Sequence, residues 1–395
     1  METLLEAHNR QISQLEIRFG RDLNIDWNDR LIGLTGARGV GKTTFLLTHI
    51  KEYLNNSPHV LYASMDDFYF SQSSLLQLAD EWVKKGGTHL FIDEIHKYPN
   101  WSQELKNIYD RYKKLKVVFT GSSVLHIQSG NADLSRRAVV YKMEGLSFRE
   151  FLQIETGVDF EKITLDELLK QHVTISKEIL AKVKPLAWFD QYLKYGYYPY
   201  YLESKLSYQK KLLNTITLML EVDLPYLRHV EVKYVHKLKK LLYLLSQSVP
   251  FQPNVTQLAG DLEVSRNTVM LYLNYLSESK LLNLLHSKSS SDAMLAKPEK
   301  VYLHHPNLLY AIGSSIVNKG NERETFFFNQ VSNYYKVEYS SVGDFLVQGK
   351  YIFEIGGKTK SKKQIKSSKN SYIAADMIEY GFENKIPLWL FGFLY

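Results

Sequence analysis

Gly36-Ala37-Arg38-Gly39-Val40-Gly41-Lys42-Thr43 decides how this chain is read. The apolar run Leu31-Ile32-Gly33-Leu34-Thr35 precedes it, and a helix-like stretch from Thr43 to Leu54 follows. It satisfies the pattern G-x-x-x-x-G-K-[ST] at every position. Glycines let such a loop curl until its N–H groups point inward at phosphate oxygens, and the N-terminus of the next helix adds the positive end of its dipole. Lys42 is placed to reach β- and γ-phosphates, and Thr43 to set its hydroxyl on Mg²⁺. Gly36, Ala37, Arg38, Gly39, Val40, Gly41, Lys42, Thr43 and Thr44 are therefore the expected nucleotide-binding residues.

Moving outward, His59-Val60-Leu61-Tyr62-Ala63, His89-Leu90-Phe91-Ile92 and Val117-Val118-Phe119-Thr120 are further short apolar runs. They alternate with helix-like segments at Thr43–Leu54, Ser74–Lys85 and Trp101–Lys114. Apolar strands alternating with helices predict a parallel sheet covered on both faces. A metal held by Thr43 needs an acid from another strand end, and Leu90-Phe91-Ile92-Asp93-Glu94 supplies it. Asp93 is expected to hold Mg²⁺ through water, and Glu94 to orient or deprotonate the attacking water. Asp93-Glu94-Ile95-His96 has the look of a helicase box, but a second motor domain has no counterpart in the helical stretch that follows, and His96 is read as a surface residue. The next strand ends in Thr120-Gly121-Ser122-Ser123, where Ser122 is the first choice to sense the γ-phosphate, with Thr120 and Ser123 as alternatives. Arg136 and Arg137 in Leu134-Ser135-Arg136-Arg137 could act as an arginine finger, if need be from a neighbouring subunit, or serve as exposed solubilising charges.

These segments, together with Leu146-Ser147-Phe148-Arg149-Glu150-Phe151, resemble the prokaryotic predicted AAA-type P-loop ATPases of the AAA+ superfamily, whose C-terminal half joins a winged helix to a restriction-nuclease-like fold. The resemblance covers essentially the whole chain and is most specific over the first 150 residues. It implies ATP and Mg²⁺ as ligands and ATP hydrolysis as the activity, and it favours Ser122 as sensor and Arg137 as finger. Ala37 and Arg136 depart from the proline and glycine more usual in that family.

The chain has 395 residues, 45% hydrophobic and 23% charged, which bounds it to two or three globular domains. The absence of cysteine excludes thiol catalysis, iron–sulfur clusters and cysteine-bound zinc. The start, Met1-Glu2-Thr3-Leu4-Leu5-Glu6, lacks the features of a secretory signal, and no apolar run suggests a membrane span, so a cytoplasmic protein with no membrane contact is expected. The 28 tyrosines are read mainly as half-buried packing residues, although Tyr195, Tyr197, Tyr198, Tyr200 and Tyr201 could line an interface.

From residue 146 to 248, helical spacing takes over. Asn254–Leu262 and a second helix opened by Ser265 as N-cap read as a helix-turn-helix, with the polar stretch 286–300 as wing or linker. Arg266 and Lys280 stand there against Asp261, Glu263 and Glu278, a poor balance for gripping phosphates, so a structural or protein-contact role is preferred, although Arg266, Asn267 and Asn274 could reach base edges. Further on, Gly343–Val347 and Tyr351–Ile355 read as a hairpin. Asp344 and Glu354, with Glu324 on a preceding helix, occupy restriction-nuclease-like places, but the lysine expected two residues after Glu354 is Gly356, and Lys358 stands further on. A relic nuclease fold is therefore preferred. Lys358, Lys360, Lys362, Lys363, Lys366 and Lys369 are a basic run that could meet nucleic-acid phosphates or simply be solvated, and they account for much of the +7 net charge.

The fold expected is α/β: a P-loop NTPase parallel sheet, then a helical and winged-helix region, then a C-terminal α/β nuclease-like domain. The expected domains are 1–150 (ATP-binding), 151–232 (helical connector), 233–300 (winged-helix-like) and 301–395 (degenerate nuclease-like). The function expected is a Mg-dependent, ATP-hydrolysing switch acting on a protein or nucleic-acid partner, with homo-oligomer formation if the finger acts in trans. The alternatives are a DNA-binding regulator with nucleotide-tuned affinity and an ATP-gated metal-dependent nuclease.

Overall fold

The computed structural model describes residues 1–21, 23–122, 132–228, 230–247, 252–288, 296–313, 317–361 and 370–395. The chain divides into two compact units, Met1–Glu144 and Gly145–Tyr395.

In the first unit, the apolar runs form β1 (Leu31–Gly36), β2 (Val60–Ser64), β3 (His89–Asp93), β4 (Lys116–Ser122) and β5 (Val139–Lys142). Helix α1 (Glu2–Gln14) precedes them, and α2 (Lys42–Tyr53), α3 (Leu75–Lys84), α4 (Trp101–Arg111) and the short α5 (Ala132–Ser135) lie between. The five strands are ordered β2-β3-β4-β1-β5 and every pairing is parallel. This is the α/β sheet of a P-loop NTPase. Parallel strands are buried on both faces, which is why β1 reads as an unbroken apolar run and is buried at all its positions. Ser74 starts α3 through a reciprocal capping box with Gln77.

The register brings polar strand ends together. Gly36 lies beside Ser122, and Ser64 beside Asp93. The C-terminal ends of a parallel sheet are where ligands bind in such folds, and here they carry the loop glycines, the acids and the small hydroxyl residues.

The second unit begins with helices: α6 (Phe148–Thr156), α7 (Leu165–Leu180), α8 (Pro185–Tyr195), α9 (Tyr208–Leu218), α10 (Leu224–Arg228) and α11 (Val235–Ser246). The segment Leu146–Phe151, one of those carrying the family resemblance, does structural work here. Ser147 and Glu150 form a capping box, and the buried Arg149 guanidinium donates to the Tyr395 carbonyl at 3.1 Å. Tyr197, Tyr198 and Tyr201 are buried and Tyr195 and Tyr200 half-buried; Tyr197 packs edge-on to Tyr198 and stacks on His305, and Tyr201 tilts against Tyr195, so the cluster is mainly core packing.

The expected helix-turn-helix is α12 (Val255–Leu262), capped by Asn254, followed by α13 (Arg266–Glu278), whose N-cap Ser265 accepts from the Thr268 amide. Strands β6 (Leu282–Leu285) and β7 (Lys300–Leu303) then pair antiparallel. Helices α14 (Pro306–Ile312) and α15 (Lys319–Ser332) lead into a second sheet, ordered β12-β11-β10-β9-β8. Its strands are β8 (Val337–Tyr339), β9 (Phe345–Val347), β10 (Tyr351–Gly356), β11 (Ser371–Ala375) and β12 (Lys385–Pro387). Strands β8, β9 and β10 are antiparallel, whereas β10, β11 and β12 are parallel. The β9–β10 hairpin turns through Gln348, Gly349 and Lys350, with Gln348 and Gly349 at positive φ (53° and 62°) and the Lys350 amide bonded to the Val347 carbonyl at 3.1 Å. Among the described residues, no helix is long and apolar enough to cross a membrane.

Candidate nucleotide site

The loop between β1 and α2 has the curl its glycines predict. Gly39 and Gly41 take φ of 85° and 98°, a region that side-chain-bearing residues rarely enter. Gly36 is needed for space, since a Cβ there would stand 2.2 Å from the Met143 carbonyl oxygen. Arg21 braces the loop from outside, donating to the carbonyls of Val40 at 3.2 Å and Glu144 at 2.9 Å. No motif marks Arg21, so only its place in the fold reveals it.

Lys42 is buried, and its ammonium bonds the carbonyls of Gly36 and Ala37, each at 2.9 Å. The lysine thereby ties the end of the loop back to its start. Ala37 and Val40 are buried, Arg38 is half-buried and Thr44 is exposed.

Asp93 ends β3 with 3% exposure. Its Oδ2 accepts from the Thr43 hydroxyl at 2.7 Å and from the Tyr62 hydroxyl at 2.8 Å. Its Oδ1 accepts from the Thr120 hydroxyl and, at 3.2 Å, from the Glu94 amide. Burial, and then the neighbouring Asp93 carboxylate, push the Tyr62 phenol far above its ordinary range, so it remains a proton donor. Thr120, an alternative sensor on sequence grounds, is thus committed to Asp93. Tyr62 was missed because an aromatic in an apolar strand reads as core.

Glu94 sits in the left-handed region at φ 55°. Its carboxylate lies 3.6 Å from the Lys97 ammonium and 3.5 Å from His96 Nε2, and Lys97 also holds Asp66 at 2.6 Å. His96, expected at the surface, is only 3% exposed. The 3₁₀ turn Ile95–Lys97 folds its ring inward, a course that charge pattern alone does not reveal.

Ser122 is buried at the end of β4, beside Gly36 in register. Ser123 lies outside the described residues. Arg137 makes a two-pronged ion pair with Asp110 of its own chain, both contacts at 3.0 Å, while Arg136 is exposed. The structure therefore brings together Lys42, Thr43, Asp93, Glu94 and Ser122 and leaves Arg137 paired with Asp110 of α4.

The donor set fits Mg²⁺ and a triphosphate. Thr43 and Asp93 present hard oxygens 2.7 Å apart, and the positive-φ glycines form the loop that phosphates need.

The carboxylates of the second sheet differ. Glu324 on α15 accepts from the Tyr302 hydroxyl at 2.7 Å and lies 3.9 Å from the Lys300 ammonium. Asp344 accepts from the Ile355 amide at 2.7 Å. Glu354 on β10 pairs with Lys360 at 2.5 Å. Burial, and then Asp344, push Glu324 up to about 7. Lys360, not Lys358, supplies the ammonium. Its methylenes cross the space above Gly356, where a Cβ would stand 2.6 to 2.8 Å from them. Among the described residues, no group of three His, Asp or Glu side chains is arranged to hold a metal. Lys362, Lys363, Lys366 and Lys369 lie outside the described residues. In α13, the Asn274 side-chain amide donates to the Met270 carbonyl at 3.0 Å.

Residues 28–152 match the family model described as an AAA domain, and residues 186–320 match a domain of unknown function, DUF8612. An uncharacterized protein of Methanocaldococcus jannaschii is 29% identical over 290 residues, covering 69% of this chain and 61% of that protein. The chain thus spans about three-fifths of the length of the curated relative it matches. Among solved structures, a RuvB variant of Thermotoga maritima is similar at 15% identity, covering 72% of this chain and 89% of that chain, with a TM-score of 0.32. AMPPCP-bound DnaA from Aquifex aeolicus is similar at 16% identity, covering 71% and 88%, with a TM-score of 0.25. At these values, the likenesses carry no functional inference. Residues 28–152 are thus similar to an AAA domain on a P-loop NTPase-type parallel sheet, and a helical region and a further sheet follow.

Proposed function

We propose that this chain binds and hydrolyses ATP with Mg²⁺ and works as a nucleotide-driven switch on a protein or nucleic-acid partner. The observation that carries this reading is the meeting of Lys42, Thr43, Asp93 and Glu94 around one glycine loop, with Thr43 bonded to Asp93 at 2.7 Å.

The loop amides and the N-terminus of α2 receive the phosphates of ATP. Lys42 leaves the carbonyls of Gly36 and Ala37 for the β- and γ-phosphate oxygens, and this exchange of partners couples nucleotide binding to loop shape. Mg²⁺, when bound, supplies Lewis-acid charge at the β- and γ-phosphates. Thr43 and Asp93 are the residues that would hold it. Glu94 accepts the proton of the water that attacks the γ-phosphorus, after its carboxylate turns from Lys97 and His96. Ser122, on the strand between Asp93 and the loop, is set to sense the γ-phosphate. Arg137 reaches a neighbouring copy's phosphate only after releasing Asp110, which makes any finger role conditional on assembly.

The second unit is proposed to comprise a connector (151–232), a winged-helix-like part (233–300) and a relic nuclease-like part (301–395), with residues 1–150 as the ATPase domain. The α12–α13 pair followed by the β6–β7 ladder supports the winged-helix reading. The ion pair of Lys360 with Glu354 supports the relic reading, and it removes one cation from the basic run that was expected to meet nucleic acid.

Phosphate release from ATP, measured with wild type, Lys42→Ala and Glu94→Gln, tests the proposal. Both variants are expected to lose turnover, with Glu94→Gln still binding ATP. Unchanged turnover in Lys42→Ala would refute it.

A further inference from the structure

Asp93 has more partners than a metal-facing carboxylate needs. Thr43 is the partner the phosphate-loop motif itself provides. The other two hydroxyls come from the strands on either side of β3: Tyr62 from β2 and Thr120 from β4. Register explains how Tyr62 arrives. Ser64 lies beside Asp93 and Tyr62 beside Phe91, and strand side chains alternate, so Tyr62, Ser64 and Asp93 share one face. The length of a tyrosine spans the diagonal from position 62 to Asp93.

Both donors are themselves held. The Tyr62 amide donates to His8 Nδ1 at 3.1 Å, and His8 Nε2 faces the Asn56 side-chain oxygen at 3.2 Å, which ties β2 to α1. The Thr120 oxygen accepts from the Glu94 amide at 2.9 Å, so its proton is directed at Asp93 Oδ1. Each carboxylate oxygen is thus gripped from a different neighbouring strand. Rotation of the carboxylate plane would break one grip or the other.

We propose that Tyr62 is a positioning residue of the nucleotide site: its phenolic O–H, opposed by that of Thr120, holds the Asp93 carboxylate in the rotation that faces Thr43 and thereby sets the affinity for Mg²⁺ with nucleotide. This rests on the Mg-ATP reading above and deepens it. Tyr62 acts through Asp93, not on the reacting atoms. A phenylalanine at this position keeps the ring and its packing and deletes only the donor.

The test is a titration of the full chain with a fluorescent ATP analogue, in excess Mg²⁺ and in EDTA, and a Mg²⁺ titration at fixed analogue. Wild type, Tyr62→Phe, Thr120→Val and Thr120→Ser are compared. Affinity in EDTA is expected to be the same in all four. The Mg²⁺ half-saturation is expected to rise about tenfold in Tyr62→Phe and Thr120→Val and to stay within about twofold of wild type in Thr120→Ser, the usual range for loss or retention of an outer partner of a metal-binding group. Should Tyr62→Phe fail to fold, the contrast between the two Thr120 variants decides the same question. An unchanged Mg²⁺ half-saturation in Tyr62→Phe overturns the inference. So does an equal loss of affinity in Mg²⁺ and in EDTA, the mark of a merely structural role. Wild type that binds no analogue under either condition refutes the Mg-ATP reading itself, and this inference with it.

Discussion

Asp93 in the first unit and Glu354 in the second are both almost wholly buried, yet their charges are handled differently. Asp93 is met by the hydroxyls of Thr43, Tyr62 and Thr120 and by one backbone amide, none of which carries a charge. Glu354 is met by the ammonium of Lys360, and its neighbour Glu324 lies near that of Lys300. Hydrogen bonds from neutral donors orient a carboxylate and lower the cost of burial, but they leave a net negative charge. A lysine removes it. The first arrangement suits a site that takes up an external cation, whereas the second already holds its own. Similar residue types on strands of two α/β sheets thus point to a ligand site in one case and to a self-neutralised core in the other.

The largest expected effect sets activity against inactivity. Asp93→Asn should lower Mg²⁺-dependent ATP turnover by at least about a hundredfold, comparable to losing a principal electrostatic element of a site. Glu354→Gln should leave turnover unchanged. A parallel phosphate-release assay of the two variants would break the comparison if both lost activity.

Next in size is a stability effect in the second unit. Glu354→Gln leaves the Lys360 ammonium without its carboxylate partner and should destabilise by about 1–3 kcal/mol in urea unfolding. Adding Lys360→Met should recover most of that loss, because a matched apolar replacement is often neutral or better. Additive losses in the double mutant would show that the pair is not a unit.

Two smaller effects depend on pH and have opposite signs. Burial, and then His89, press His49 down from 6.5 to about 4, and burial holds His304 and His305 well below the ordinary range. Each binds a proton more weakly when folded than when unfolded. Their contribution to stability is therefore complete above pH 6.5 and is lost as pH falls toward 4. Melting temperature should drop across that window, and less so in a His49→Gln variant. Glu324 works the other way: its pKa rises from 4.5 to about 7, so its contribution is present below pH 4.5 and lost as pH rises through 7. Glu324→Gln should gain stability relative to wild type between pH 5 and pH 8. A constant difference across that range would mean that Asp344 and burial do not hold the proton on Glu324.

The phosphate loop was legible because its chemistry is local. The same glycines that permit positive φ at Gly39 and Gly41 also make the pattern visible in one dimension. The place of Asp93 at the end of a buried strand, followed by Glu94, was legible because a short apolar run that stops at an acidic pair marks a strand end. The helix-turn-helix could be read through the caps at Asn254 and Ser265, and the β9–β10 hairpin through Gln348-Gly349. His96, by contrast, was misplaced at the surface, since a polar residue after an acidic pair gives no hint that its turn folds inward. Lys360 was seen only as one charge in a run. Strand alternation pointed to Lys358, but the chain leaves the strand after Gly356 and sends the later lysine back across it.

The amino-acid order alone therefore determined the elements: which runs become strands, where helices start, and which loop curls at positive φ. These depend on backbone freedom, capping and periodicity, which act over a few residues. Only the tertiary structure decided the company each charge keeps. Tyr62 and Thr120 reach Asp93, Arg21 reaches Val40 and Glu144, and Arg137 reaches Asp110, because sheet order and register bring together residues that lie far apart along the chain. Hydrogen bonds and ion pairs act over a few ångströms of space, whatever the separation in sequence, so the state of a buried carboxylate is settled only once the strands beside it have been placed.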